Sequence, residues 1–191
     1  ACLVGSEMCI RDSIQQLGDV RDASFLAADA AADYAFLKGM HLPVLTAGLN
    51  QQMEEAVLAA RDKQDSVGGV LECMVTGLPA GLGAPFFDSV ESVLSHLLFA
   101  IPAVKGVEFG EGFGFASMRG SQANDPFRME NGEVTTESNH SGGINGGITN
   151  GMPVIFRCAV RPTPSIGQKQ RTVSLHLSLI HISEPTRQAE I

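Results

Sequence analysis

Aromatic side chains are scarce in this chain: its 191 residues include no Trp, one Tyr and ten Phe. A surface that stacks unpaired bases needs such rings in number, so a single-stranded nucleic-acid platform is not expected. Positive charge is scarce as well. Thirteen Lys and Arg stand against 21 Asp and Glu, a formal net charge of −8, whereas following a phosphate backbone takes a basic face. Neither deficit excludes a local cationic pocket for a small anion. No apolar run approaches the roughly 18 residues of a membrane span. The opening ACLVGSEMCI is too short for a secretory signal and carries Glu7. The expectation is a soluble, cytoplasmic protein with neither nucleic acid nor membrane as partner.

Cysteine is sparse too. Cys2, Cys9, Cys73 and Cys158 show no C-x-x-C spacing, which predicts neither a zinc site nor a disulfide framework and fits a reducing compartment. Cys73 and Cys158 read as small buried hydrophobes. His41 and His96 have no partner at ligand spacing, so no metal site is expected, and His140, in a loop able to line a site, reads as a plain turn residue. There is no G-x-S-x-G, no Walker loop and no dinucleotide fingerprint.

The two ends differ in character from the middle. Residues 1–13 (ACLVGSEMCIRDS) and 175–191 (LHLSLIHISEPTRQAEI) continue no periodic pattern, and both look like translated sequencing-adapter read-through. They are set apart as non-native, and residues 14–174 are treated as the central portion of a single domain. Cys2, Cys9, His176 and His181 then carry no functional expectation.

What is present is a 44% hydrophobic chain able to build a core. Ser24–Lys38 is Ala-rich and predicted helical. Asn50 is a candidate cap for a helix to about Gln64, with Met53, Val57 and Ala60 on one face. Val70–Thr76 reads as a strand with Leu71, Cys73 and Val75 on one side. Asp88 and Glu91 suggest a capping box ahead of Val90, Val93, Leu94, Leu97, Leu98 and Ile101, an amphipathic series that Pro102 stops. Ala103–Phe109 and Phe113–Met118 are predicted strands, Arg119–Ser138 a polar loop, and Pro153–Val160 a final strand. Antiparallel strands with a few packed helices predict α+β.

Three stretches could carry chemistry. Asn139–Gly147 (NHSGGINGG) could let backbone amides approach an anion, because glycine accepts positive φ and leaves no side chain in the way; plain turn formation is the competing reading. Arg161–Ser165 (RPTPS) offers a guanidinium and two hydroxyls on a stretch stiffened by two prolines, suited to a phosphate or to a solvated strand end. Lys105, between Val104 and Gly106, is either a surface lysine or an anion-facing one.

The order of the blocks carries more than any one of them. Asp65-Ser-Val-Gly-Gly69, Gly77-Leu-Pro-Ala-Gly-Leu-Gly-Ala-Pro85 with Phe87-Asp88, Ile101-Pro-Ala-Val-Lys-Gly-Val-Glu-Phe-Gly110, Gly120-Ser-Gln, Asn139–Gly147 and Arg161-Pro-Thr-Pro-Ser-Ile166 follow one another as in the central half of chorismate synthases. The resemblance covers about Asp65 to Val173, with residues 14–64 aligning only loosely. It implies a fold with helices packed between antiparallel sheets, here in part, and for the intact enzyme a homotetramer. The activity it implies is conversion of 5-enolpyruvylshikimate 3-phosphate to chorismate by 1,4-elimination of phosphate with reduced FMN. Pro102 and Ala103 should lie against the flavin, Gly146 should allow its close approach, and Arg161, Pro162, Thr163, Pro164 and Ser165 should form its anion-binding segment. The family commonly has Lys at the position of Arg161. Its Gly-Glu-Ser-His-Gly, Gly-Gly-Gly-Arg-x-Ser and Arg-His-Asp-Pro motifs are not among these residues, so no catalytic residue is assigned and the chain alone is expected to be inactive. The alternatives are a flavin- or phosphate-binding module without lyase activity, and a scaffold whose glycines are merely turns. The reading expects residues 101–106, 143–147 and 161–165 to converge on one cleft.

Overall fold

The computed structural model describes residues 8–27, 37, 40–130, 132–172 and 180–182. Its centre is a five-stranded antiparallel sheet of β1 (Cys9–Leu17), β2 (Val20–Arg21), β3 (Gly69–Thr76), β4 (Val104–Phe109) and β9 (Val154–Val160), in the order β2-β1-β3-β9-β4. The mixture of helices and antiparallel strands agrees with the predicted class.

Sequence alternation explains why β3 and β9 lie centrally. In β9, Val154, Phe156 and Cys158 point to one face and Ile155 and Arg157 to the other. The first face, with Cys73, Val75, Val107 and Phe109, packs against Val90, Leu94 and Leu98 of helix α2 (Val90–Phe99). On the opposite face Met74 and Ile155 meet Phe25, with Leu26, Leu37 and Leu45 around them. A second long helix among the described residues, α1 (Leu49–Asp62), buries Met53 and lies beside β2.

Several expectations change. Residues 1–13 are expected to stand apart from the fold, yet Cys9 to Ser13 form the first half of β1, pairing with Thr76 to Glu72. Backbone pairing to a neighbouring strand does not require the apolar alternation this stretch lacks. Pairing speaks to folding; the origin of these residues is a question for the gene. Helix α1 starts at Leu49 behind a left-handed Gly48, so Asn50 lies inside it. Helix α2 is capped by Ser89, whose Oγ accepts from Ser92 N at 3.1 Å, and not by Asp88. The predicted strand at Phe113–Met118 is a 3-10 helix, Gly112–Ser117.

The predicted loop at Arg119–Ser138 holds a short helix α3 (Gly120–Ala123) and a hairpin, β5 (Phe127–Glu130) with β6 (Glu133–Thr136). Pro153–Val160 is not the last strand, since β10 (Gln170–Thr172) pairs with β11 (Ile180–Ile182), the latter within the stretch set apart as a tail. The helix predicted at Ser24–Lys38 begins as a 3-10 turn, Phe25–Ala27, and otherwise lies largely outside the described residues.

Candidate functional site

The segment from Ile101 to Val104 converts a helix into a strand within a few residues. Beyond α2, Ala100 N and Ile101 N donate to Leu97 O and Leu98 O, and Val104 N donates to Ile101 O. Pro102, exposed and without an N–H, ends the helical pattern. Ala103 then turns the chain with φ 73°, a left-handed conformation that costs a non-glycine residue about 1 kcal/mol. Its carbonyl accepts from Arg161 N at 3.0 Å, joining the start of β4 to the residue just after β9. Pairing of β4 with β9 is irregular between Val104 and Gly106, and Lys105 at that irregularity is exposed.

Arg161, Pro162, Thr163, Pro164 and Ser165 follow as an exposed stretch without regular structure. Two of the five residues lack an N–H, and the Arg161 amide is engaged by Ala103. The groups suited to an anion are therefore the Arg161 guanidinium and the hydroxyls of Thr163 and Ser165. Pro102 and Ala103 stand beside this stretch, so its three cationic or hydroxyl-bearing positions and the helix-to-strand junction share one end of the sheet.

Gly146 does not join them. The short strands β7 (Ile144–Asn145) and β8 (Ile148–Thr149) form a hairpin whose two-residue turn is Gly146-Gly147, at φ 58° and 84°. Positive φ at both positions is what a type I′ turn demands, which accounts for the pair of glycines. Gly147 O accepts from Val90 N at 3.0 Å, placing the turn at the N-terminal end of α2. Pro102 lies beyond the other end, on the order of 15–20 Å away at 1.5 Å per helical residue. Strand β9 gives the same answer: Ile155 N bonds Gly142 O near its start, and Arg161 follows its finish. Within one chain, residues 101–106 and 161–165 meet, while 143–147 sits at the far end. The expected three-way convergence fails for the glycine turn.

Sequence reasoning missed two polar clusters. In the first, Asp125 accepts from Ser138 Oγ (2.7 Å), His140 N (2.7 Å) and Ser141 N (2.8 Å). Partial burial opposes ionisation, but these bonds outweigh it and hold the carboxyl below its ordinary range. His140 Nδ1 lies 3.2 Å from Glu111 Oε1, so this histidine, expected to be a plain turn residue, has a carboxylate partner.

The second is a row across the sheet: Ser13, Glu72, Arg157 and Glu108 occupy matching positions on β1, β3, β9 and β4. Glu72 is fully buried and accepts from Ser24 Oγ (2.5 Å) and Phe25 N (2.6 Å). Burial pushes its carboxyl up; these hydrogen bonds and the Arg157 charge act against that push. Arg157 Nη2 donates to Gly110 O at 2.6 Å. Its Nε lies 3.0 Å from Glu108 Oε1, an ion pair off the line of a hydrogen bond.

Cys73 has its thiol pushed up to about 12, mainly by burial, and Cys158 is raised by burial as well, so both stay protonated thiols. Cys9, by contrast, is disulfide-bonded, which the cysteine spacing did not foretell. Among the described residues no three His, Cys, Asp or Glu side chains gather as metal ligands, and no helix is long and apolar enough to cross a membrane.

Known proteins place this architecture. A chorismate synthase from Methanosarcina acetivorans is 55% identical over 135 residues, covering 70% of this chain and 37% of that protein. One from Thermococcus gammatolerans is 56% identical over 125 residues, covering 65% and 35%. A crystal structure of chorismate synthase superposes with a TM-score of 0.75 at 28% identity, over 83% of this chain and 50% of that one. The chain thus spans little more than a third of the length of the curated relatives it matches. The family's own sequence profile, described as chorismate synthase, matches residues 2–188, a range that takes in most of both ends set apart above. The chain belongs to the chorismate synthase family.

Proposed function

We propose that the protein to which these residues belong converts 5-enolpyruvylshikimate 3-phosphate to chorismate and phosphate, using reduced FMN, as a cytoplasmic homotetramer. The observation that carries the reading is the Arg161 N–Ala103 O bond of 3.0 Å. It ties the junction Pro102–Ala103 to Arg161, Pro162, Thr163, Pro164 and Ser165 in a chain of this family. An exposed guanidinium and two hydroxyls on a proline-stiffened stretch fit the phosphate end of a flavin nucleotide. Pro102 and Ala103, beside it, would flank the rest of the cofactor. Reduced FMN supplies the electronic chemistry of the elimination when bound; the residues here bind and orient. Gly146 stays in the proposal as a point of close backbone approach, because a Cβ there would meet nothing within 4 Å, although it does not share the end occupied by Arg161. No catalytic residue is assigned within the chain.

The surface of α2 supports the fuller architecture, in which helices lie between two antiparallel sheets. Val93, Leu97 and Ile101 form an outward apolar stripe, with Leu97 58% exposed, and beside Val93 a groove of about 380 Å³ is lined by Val75, Leu78, Leu82, Val90 and Leu94. A second layer over this face would bury it. We also hold that residues 1–13 and 175–191 are adapter-derived, which sequencing the gene through both junctions checks.

Phosphate release from 5-enolpyruvylshikimate 3-phosphate with reduced FMN tests the function. The product of the whole gene should turn over and the 191-residue chain should not. Turnover by the chain alone overturns the second half of the proposal, and an inert whole-gene product overturns the first.

A further inference from the structure

The block Asp65-Ser-Val-Gly-Gly69 lies directly under the segment assigned to the anion. Ser66 Oγ donates to Thr163 O at 2.7 Å across 97 residues of sequence. Gly167 N donates to Gln64 O at 3.0 Å and Gln168 Nε2 to Lys63 O at 2.9 Å. Gly68 has no positive φ that would require glycine. What excludes a side chain there is closeness: a Cβ would stand 2.8 Å from Val160 O and 2.9 Å from Pro162 Cδ. The block is itself anchored from the other side, since Gly18 N donates to Gly68 O at 2.9 Å.

We propose that Ser66 and Gly68 are positioning residues for the anion-binding segment Arg161–Ser165, a claim that rests on the flavin-phosphate reading of that segment. Carbonyl oxygens repel a phosphate, and with prolines at 162 and 164 this stretch is rich in carbonyls relative to amides. Ser66 Oγ occupies the carbonyl of Thr163, and Gln170 Nε2 occupies that of Pro164 at 3.0 Å. Both acceptors are thereby tied down, leaving the guanidinium and hydroxyls to define the potential an incoming anion meets. Gly68 lets the backbone of 66–69 come close enough for the serine to reach. Neither residue touches the ligand; both act through the segment above them.

FMN titration calorimetry on the whole-gene product, joined to amide hydrogen exchange across residues 160–170, tests this with Ser66→Ala, Ser66→Thr and Gly68→Ala. Loss of one hydrogen bond predicts about a fivefold weaker FMN affinity for Ser66→Ala. Exchange should be faster at Gly167 and unchanged in β3 and β9. Ser66→Thr keeps the hydroxyl and should restore both readings, while Gly68→Ala should mimic Ser66→Ala or exceed it. Unchanged affinity and exchange in Ser66→Ala overturn the proposal, as does a Ser66→Thr variant as impaired as the alanine, which would make packing and not the hydroxyl the cause. If the unaltered whole-gene product binds no FMN, the flavin reading fails on its own, and the exchange comparison still decides whether Ser66 holds the segment.

Discussion

Replacing Glu72 separates two reasons for burying a carboxylate. The side chain has no exposure and accepts from Ser24 Oγ and Phe25 N, while Arg157 stands opposite it on β9. If acceptance of those two donors is its purpose, Glu72→Gln is mild: the amide oxygen serves Phe25 N–H, and the amide nitrogen donates to the Ser24 hydroxyl, which can accept. Glu72→Ala leaves a buried N–H without a partner, at about 1–3 kcal/mol, and adds a cavity, for a total near 3 kcal/mol. With a urea m-value of about 2 kcal/mol/M, the alanine midpoint should fall by about 1.5 M and the glutamine midpoint by less than about 0.5 M. The pH dependence follows from the raised carboxyl. The folded state binds a proton that the unfolded state has released, so stability falls as pH rises from the ordinary glutamate value of 4.5 toward the raised folded value. Glu72→Gln removes that slope. A glutamine variant as unstable as the alanine refutes the reasoning, because the charge facing Arg157 would then be what matters.

Two further outcomes are expected. Asp125→Ala deprives Ser138 Oγ, His140 N and Ser141 N of their acceptor and should cost about 2 kcal/mol in chemical unfolding at pH 7. Because the folded carboxyl is held low, its contribution is present above the ordinary value of 3.8 and is lost as pH falls through the folded value, so the variant and the parent should converge in strong acid. Ala103→Gly removes the left-handed strain at φ 73°, offset in part by the greater freedom of glycine in the unfolded chain. Its thermal midpoint should equal or exceed the parent's, whereas Ala103→Val should lower it by several degrees.

The sheet was largely legible because β3 and β9 alternate, and helix α2 because its apolar period is strong. Its cap lies one residue beyond the Asp88 that the sequence suggests: Asp88 and Ser89 are both good caps, and only the backbone decides between them. The hairpin β5–β6 had a usable signal in Asn131-Gly132, the dipeptide favoured in two-residue turns, but the surrounding polar residues hid it. Glu72, a carboxylate inside an apolar strand, was visible as an anomaly; its partners Ser24 and Phe25, 48 and 47 residues away, were not. A longer separation, 97 residues, concealed Ser66 beneath Thr163. At Gly146 a family correspondence suggested shared occupancy of one cleft with Arg161, and the intervening helix keeps the two apart in one chain.

A structure of the whole gene product soaked with FMN tests the central claim most directly. The flavin phosphate should lie within hydrogen-bond reach of the Arg161 guanidinium and the hydroxyls of Thr163 or Ser165, with the remainder of the cofactor against Pro102 and Ala103. A phosphate seated elsewhere, with Arg161–Ser165 facing only solvent, would contradict the account.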